Sequence, residues 1–307
     1  ICKALAASGY LPVAFDNLSS GDRDQVKWGP LEFGDITDRQ SLAETFLNVR
    51  PSAVIHLAAF QGGDEADPDA FYETNVAGSV TLLRAMAEAQ VTNLVFCSTA
   101  AVYGMPERLP VPEDQELDAI TPFGTSQLMT ERAIPDFAEA HELNWAILRV
   151  FNVAGADPDG EAGTRNGDHG RLLPSAILAA RGERGSLPVY GTAYDTQDGT
   201  AIRDFVHVSD VADAHVLALG KVLAGQSGII ANIGSGVGHS VIDVIHGIER
   251  ISGLMVPARE APPRPGDPAI MIANRVLADS ALSWRPRRSS LDEILATAWR
   301  WHNRETT

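Results

Sequence analysis

Cysteine is nearly absent: Cys2 and Cys97 are the only two thiols in 307 residues. So few exclude a disulfide framework and any cysteine-rich metal centre. None of the eight histidines falls in an HExxH spacing, so no metal site is expected. Basic residues are scarce as well. Lys and Arg total 24 against 40 Asp and Glu, a formal net charge of −16. A protein that grips nucleic acid needs a basic footprint, so nucleic acid is excluded as a partner. Long apolar runs are also missing: no stretch reaches the roughly 18 residues of a membrane-spanning helix. Repeats and low-complexity tracts are absent too. The composition is that of a globular chain, expected in a reducing cytoplasm and long enough for one large or two modest domains.

The first half alternates two kinds of segment. "LPVAFDN" (11–17), "SAVIHLAAF" (52–60), "NLVFCSTAAVYG" (93–104) and "NWAILRVFNVAG" (144–155) read as buried strands. "DRQSLAETFLNV" (38–49), "AFYETNVAGSVTLLRAMAEA" (70–89) and "SQLMTERAIPDFAEAHE" (126–142) have helical spacing. Near-continuous apolar strands joined by helices predict a parallel sheet covered on both faces. Right-handed crossovers then give a doubly wound α/β sheet over residues 1–155. Residues 156–307 are more mixed and predict a smaller α/β lobe, with segments returning to the main sheet. The polar, Gly-rich "GADPDGEAGTRNGDHGR" (155–171) and the run "AREAPPRPGDP" (258–268) read as loops.

One part of a doubly wound fold has no counterpart in the sequence. Such a sheet opens with a strand and a Gly-rich turn whose amides face a phosphate. "ICKALAASGY" reads as the second half of the helix that follows that turn. The expectation is that about twenty further residues, with the strand and the turn, precede Ile1. "GSGVGHS" (234–240) follows a strand and precedes a helix, but in the wrong half. A plain tight turn is the better reading there.

Several residues invite a functional reading, each with a bland alternative. Asp16 ends a strand, where an acid can hold ribose hydroxyls; the alternative is an Asx turn with Asn17. Asp35, followed by Ile36, can take an adenine amino group and pack on the ring; the alternative is a helix N-cap. The small residues of "HLAAF" (56–60) let a ligand approach the backbone or simply pack closely. Asn75 sits inside a helical pattern that its propensity disfavours, which suggests a hydrogen-bonding task. Ser98 and Thr99 put hydroxyls at the C-terminal end of a strand, where doubly wound folds place their chemistry. Each hydroxyl could equally be a satisfied core group.

Taken together, "FDNLS", "GDITD", "VIHLAA", "YETNVAGS", "FCSTAAVYG", "LRVFNVAGADPDG", "DGTAIRDFVHVSDVADAH", "NIGSGVGHSV" and "PRPGDP" resemble the extended short-chain dehydrogenase/reductase superfamily. Within it they resemble the UDP-glucose 4-epimerase branch, and their order holds from Ile1 to about His302. The resemblance implies a Rossmann-like fold, NAD as cofactor, a UDP-sugar as ligand and a homodimer. It implies that Asp16, Asn17, Asp35, Ile36, Leu57, Ala58, Ala59, Asn75 and Phe151 line the NAD site. Asn152, Leu173, Tyr190, Arg203, Arg264 and Asp267 match the positions that hold the UDP-sugar. The two arginines make chemical sense, since guanidinium forks suit a diphosphate. Thr99 matches the hydroxyl that hydrogen-bonds the reacting sugar.

The chain departs from that pattern where the proton moves. The family's Y-x-x-x-K motif reads F-G-T-S-Q here, with Phe123 and Gln127 at the two catalytic positions. In the family the lysine ammonium holds the nicotinamide ribose and lowers the tyrosine pKa. The tyrosine oxygen takes the proton of the sugar C4 hydroxyl while hydride moves to NAD. Phe123 has no ionisable oxygen, and Gln127 can bond a ribose but carries no charge. The loop "AAFQGGDEADP" is shorter than the family's, Gln61 stands near where many members have lysine, and Arg171 replaces an amide or histidine. The resulting expectation is an NAD-dependent isomerase of UDP-glucose and UDP-galactose, or a related nucleotide sugar, with impaired turnover. A non-catalytic nucleotide-sugar or NAD binder, or a different reaction on a nucleotide sugar, remain as alternatives.

Overall fold

The computed structural model describes residues 1–62, 67–164 and 170–304. The loop 58–68 and the loop 155–171 therefore fall partly outside the described residues, at 63–66 and 165–169. The first half runs α1 (Cys2–Ala7), β1 (Ala14–Asp16), β2 (Leu31–Phe33), α2 (Arg39–Val49), β3 (Val54–His56), α3 (Pro68–Phe71), a π-helical segment Tyr72–Gly78, α4 (Ser79–Glu88), β4 (Asn93–Thr99), α5 (Pro122–His141) and β5 (Asn144–Val150). The rest is β6 (Asn152–Ala154), α6 (Leu172–Ala180), β7 (Leu187–Tyr190), β8 (Ile202–His207), α7 (Val208–Leu223), β9 (Ile229–Ile233), β10 (Gly238–Ser240), α8 (Val241–Ser252), β11 (Ala258–Ala261), β12 (Ile270–Met271), α9 (Val276–Leu282) and α10 (Leu291–His302). Among the described residues no helix is long and apolar enough to cross a membrane.

The central sheet is parallel, in the order β3-β4-β5-β9. β1 and β2 form a separate parallel pair. Ala146, Ile147, Leu148 and Val150 of β5 are all buried, as a strand covered on both faces must be. Alternation divides their neighbours. Val95 and Leu148 pack against Val211, Ala214 and Ala218 of α7. Leu94, Phe96 and Ile147 pack against Leu42, Leu83, Met86 and Ile134 from α2, α4 and α5. Helices thus cover both faces, and the fold is the doubly wound one. The smaller lobe is mixed. β8 pairs parallel to β6 and β12 and antiparallel to β10, while β7 pairs with β11. Its core joins Leu173, Ile177, Val244, Ile248, Ile294 and Leu295.

Register fixes the site. Thr99 lies opposite Val150, and Val150 opposite Ile233, so the C-terminal ends of β4, β5 and β9 finish in one row. α5 begins beside that row and starts earlier than its apolar periodicity indicates. Thr121 caps it by accepting from the Gly124 amide at 3.1 Å, and Pro122 occupies its first turn. Gly124 allows the approach, because a Cβ there would sit 2.6 Å from the Ala101 carbonyl oxygen. Phe123 and Gln127 are delivered to the strand ends by that contact.

The tight turn 234–240 spends its amides on the protein itself. Its Ser235 and Gly236 amides donate to the Asp204 carboxylate at 2.6 and 2.9 Å, and the Ser235 hydroxyl adds a bond at 2.6 Å. β10 and a Ser240–Asp243 capping box then lead into α8.

Two buried imidazoles set an acid limit on stability. Burial pushes His56 and His215 down to about 4 from the ordinary 6.5. Between those values the unfolded chain binds protons that the folded chain does not. Their contribution is complete above pH 6.5 and is lost as pH falls toward 4. The shift corresponds to about 3 kcal/mol for each residue. A melting temperature that falls steeply from pH 7 to pH 5, and less steeply in a His215→Leu variant, is the expected result of calorimetry. A flat profile over that interval would contradict it.

Candidate functional site

A cleft of about 1180 Å³ opens where the sheet's C-terminal edge meets the smaller lobe. From the sheet side, Leu57, Ala59, Thr99, Phe151 and Asn152 line it, with Phe123 and Gln127 from α5. From the smaller lobe come Leu173, Tyr190, Arg203, Arg264 and Asp267. Twelve sequence-nominated residues therefore share one cavity. Asp16, Asn17, Asp35, Ile36, Ala58 and Asn75 lie outside its lining.

Asp16 and Asp35 end the adjacent strands β1 and β2 and are tied together locally. Asn17 Nδ2 donates to Asp35 Oδ2 at 2.7 Å. Asp16 does form the Asx turn, accepting from the Leu18 amide at 2.6 Å. Asp35 is not a helix cap. It accepts from the amide and hydroxyl of Thr37 at 2.8 and 2.7 Å, and Asp38 caps α2 instead. Burial raises the Asp35 pKa, but the bonds from Thr37 and Asn17 outweigh it and hold the carboxyl below its ordinary value. Ile36 is buried against Gly78, where a Cβ would come within 2.7 Å of it.

Asn75 has its hydrogen-bonding task inside the protein. It is 1% exposed. Its Oδ1 accepts from the Phe60 amide at 2.6 Å, and its Nδ2 donates to the Phe60 carbonyl at 3.0 Å and to Ser126 Oγ at 2.9 Å. Its carbonyl, inside the π-helical segment, accepts from the Ser79 and Thr130 hydroxyls at 2.5 and 2.8 Å. One side chain thus pins the loop after β3 to α5, the two elements that carry Gln61 and Phe123.

Phe123 and Gln127 are four residues apart on one face of α5. The Phe123 ring faces Phe71 at 6.5 Å, and Phe71 faces Phe60 at 5.0 Å, making this wall apolar. Gln127 is 2% exposed, and its Oε1 has no hydrogen-bond partner among the described residues. Thr99 Oγ1 accepts from the Ala101 amide at 3.2 Å, which leaves its proton available. Cys97 also lines the cleft, but burial pushes its thiol up to about 12, so it is no nucleophile near neutral pH.

Across the cleft, Arg203 forms an ion pair with Asp267, and Arg264 lies 4.0 Å above the Tyr190 ring. Two guanidinium groups and an aromatic face suit a diphosphate joined to a planar base. Arg171 donates to Gln61 Oε1, so these two departures from the family pattern meet in the lining of the cleft. Asp157, Asp159 and Glu161 gather closely enough to hold a cation, but Lys3 Nζ already lies within 2.7–2.9 Å of all three.

The sequence reading missed the buried support under the strand ends. Glu131, one turn after Gln127, accepts from Ser98 and from the fork of Arg149, with both charged side chains almost fully buried. The available signal was a lone arginine in the apolar run "WAILRVF" (145–151).

A model of the NAD dependent epimerase/dehydratase family matches residues 1–234. The chain is 42% identical over 305 residues to a UDP-glucose 4-epimerase of Rhizobium meliloti (strain 1021), covering 99% of this chain and 93% of that one. It is 38% identical to the UDP-glucose 4-epimerase of Bacillus subtilis (strain 168), covering 98% and 92%. The crystal structure of UDP-glucose 4-epimerase from Brucella ovis in complex with NAD superposes with a TM-score of 0.94 at 40% identity, over 97% of this chain and 93% of that one. That from Bifidobacterium longum in complex with NAD+ and UDP gives 0.92 at 31% identity, over 98% and 93%. This chain belongs to the NAD dependent epimerase/dehydratase family, in its UDP-glucose 4-epimerase branch.

Proposed function

We propose that this chain holds NAD and a UDP-hexose in the cleft, and that its reaction class is nucleotide-sugar 4-epimerisation with impaired proton transfer. In this reading residues 1–155 carry the dinucleotide and 156–307 the nucleotide sugar. One observation carries it. The ligand-holding groups Thr99, Tyr190, Arg203 and Arg264 and the substituted pair Phe123 and Gln127 line the same cavity.

The residues present fit a dinucleotide. Gln127 Oε1 is buried at the cleft wall without a donor among the described residues, and a ribose hydroxyl would supply one. Asp16, Asn17, Asp35 and Ile36 would hold the adenosine end, with Leu57, Ala58, Ala59 and Phe151 along the rest. Asn75 would support that wall through Phe60. When bound, NAD supplies the hydride acceptor and donor for the sugar carbon. On the other side Arg203 and Arg264 hold the diphosphate, with Asn152, Leu173, Tyr190 and Asp267 around the remainder. The Thr99 hydroxyl bonds the sugar hydroxyl, but its own pKa is too high for a base at neutral pH. Phe123 offers no oxygen to take the proton, and Gln127 no charge to assist. General acid–base help is worth ~10²–10⁴ in rate, which is the expected scale of the impairment.

A second reading, a non-catalytic holder of the same ligands, is favoured by the packing of Phe123 with Phe71 and Phe60. Both readings require binding. NAD and UDP-glucose should each raise the melting temperature, since a ligand that prefers the native state stabilises it. Arg264→Ala should reduce the UDP-glucose shift and leave the NAD shift unchanged. Absence of both shifts in the parent would sink the reading, and an unchanged UDP-glucose shift in the variant would remove Arg264 from the site.

A further inference from the structure

The Gly-rich turn after β9 has the form of an anion site, and its occupant is Asp204 of β8. Two successive amides, Ser235 and Gly236, meet the carboxylate at 2.6 and 2.9 Å, and the Ser235 hydroxyl meets it at 2.6 Å. Successive amides turned inward make a concavity that suits an anion. Glycine is required on both sides of the serine. Gly236 has φ +77°, and a Cβ on Gly234 would lie 2.5 Å from Asp204 Oδ2 and 2.6 Å from Ala273 Cβ. Asp204 is fully buried.

One bond of this carboxylate leaves the turn. Its Oδ2 also accepts from the Ala273 amide at 3.1 Å. Ala273 closes the strap 263–273, which brings Arg264 and Asp267 to the cleft. The strap meets β8 through β12, which is only two residues long, with Ile270 opposite Ile202 and Met271 opposite Arg203. Two residues offer few ladder bonds, and Asp204 clamps the strap just beyond them. Arg203 and Asp204 are neighbours on one strand, so their side chains leave on opposite faces. Arg203 lines the cleft and pairs with Asp267, while Asp204 lies outside the lining. A role confined to the turn is met by Ser235 and Gly236. The bond to Ala273 reaches the strap.

We propose that Asp204 is a positioning residue for the diphosphate of the nucleotide sugar. Its carboxylate, seated in the turn as an internal anion, fixes the strap against β8 and so sets the spacing of Arg203, Arg264 and Asp267. It touches no ligand and acts through those three side chains. This rests on the reading that Arg203 and Arg264 hold the diphosphate.

Titration calorimetry on the full chain with UDP, UDP-glucose and NAD tests this. Asp204→Asn keeps one accepting oxygen and turns an NH2 toward donors. Its affinity for UDP and UDP-glucose should fall about tenfold while that for NAD stays within about twofold. Asp204→Ala should show the same selective loss, and formate, a free carboxylate for the vacated turn, should restore UDP affinity to within about threefold of the parent. Formate should not strengthen UDP binding by the parent. Gly234→Ala, which presses on the carboxylate and the strap together, should reproduce the loss without rescue by formate. If the parent binds UDP-glucose and folded Asp204→Asn binds it equally well, this inference falls while the proposed function stands. Equal losses for UDP and NAD, or variants that stay unfolded in formate, would show that the carboxylate holds the fold as a whole and would overturn it too. A parent that binds no UDP-glucose removes both.

Discussion

Installing tyrosine at 123 and lysine at 127 together raises the interconversion of UDP-glucose and UDP-galactose by ~10² or more over the parent, the scale of restored acid–base help. Neither change alone should approach this. Phe123→Tyr adds an oxygen whose reference pKa is ~10, so little tyrosinate exists at pH 7. Gln127→Lys supplies the cation with no phenol to tune. It also places an ammonium where the present side chain is only 2% exposed, which lowers the lysine pKa and destabilises the ligand-free protein. Groups that act as a unit are strongly non-additive. The two positions already share one face of α5, with the Gly124 contact to Ala101 holding them at the strand ends, so the backbone needs no rebuilding. Rates for the parent, both singles and the double, at fixed NAD, check this. A double variant that binds UDP-glucose yet stays inert would mean that the Arg171–Gln61 contact has shaped the cleft for another task.

Arg149→Met should cost about 3–5 kcal/mol, because it leaves the Glu131 carboxylate buried without its counter-charge. The pair's side chains are 3% and 4% exposed, so water cannot compensate. For a chain of this size the loss corresponds to a fall on the order of 10 °C in melting temperature. Arg149→Met with Glu131→Leu should recover much of it, since replacing both members of a buried pair by apolar groups is often near neutral. Denaturant midpoints for the single and the double variant test this. A single variant within about 1 kcal/mol of the parent would show that the pair carries little.

The alternation of apolar runs and helical periods made the parallel sheet legible, because a strand buried on both faces has no polar side to show. Helix α2 emerged at nearly its full extent from apolar spacing, although the cap is Asp38 and not Asp35, the candidate the sequence offered. The strands proved shorter than their apolar runs. β1 covers Ala14–Asp16 of the run 11–17, where Pro12 has no amide to give a ladder. α5 begins at Pro122 rather than 126, since its first turn rests on a threonine cap and a glycine approach that periodicity does not register. In the site, the sequence nominated twelve residues that meet in one cleft. Asn75 was legible as a hydrogen-bonding residue, but not its partners, because the π-helical turn and the fold of the Phe60 loop are tertiary outcomes. The same holds for the 234–240 turn, whose amides serve Asp204, thirty residues or more away in the chain. Glu131 and Arg149 escaped because no local pattern says which strand will face which helix.

The central claim is that the cleft retains its ligands while Phe123 and Gln127 limit proton transfer. The most direct measurement follows UDP-galactose by proton NMR with the unmodified chain, saturating NAD and a binding isotherm on the same sample. Saturable binding, with conversion to UDP-glucose ~10² or more below that of the Phe123→Tyr/Gln127→Lys variant, is the predicted result. Conversion by the unmodified chain at the rate of that variant would contradict it, and would mean that another group already moves the proton.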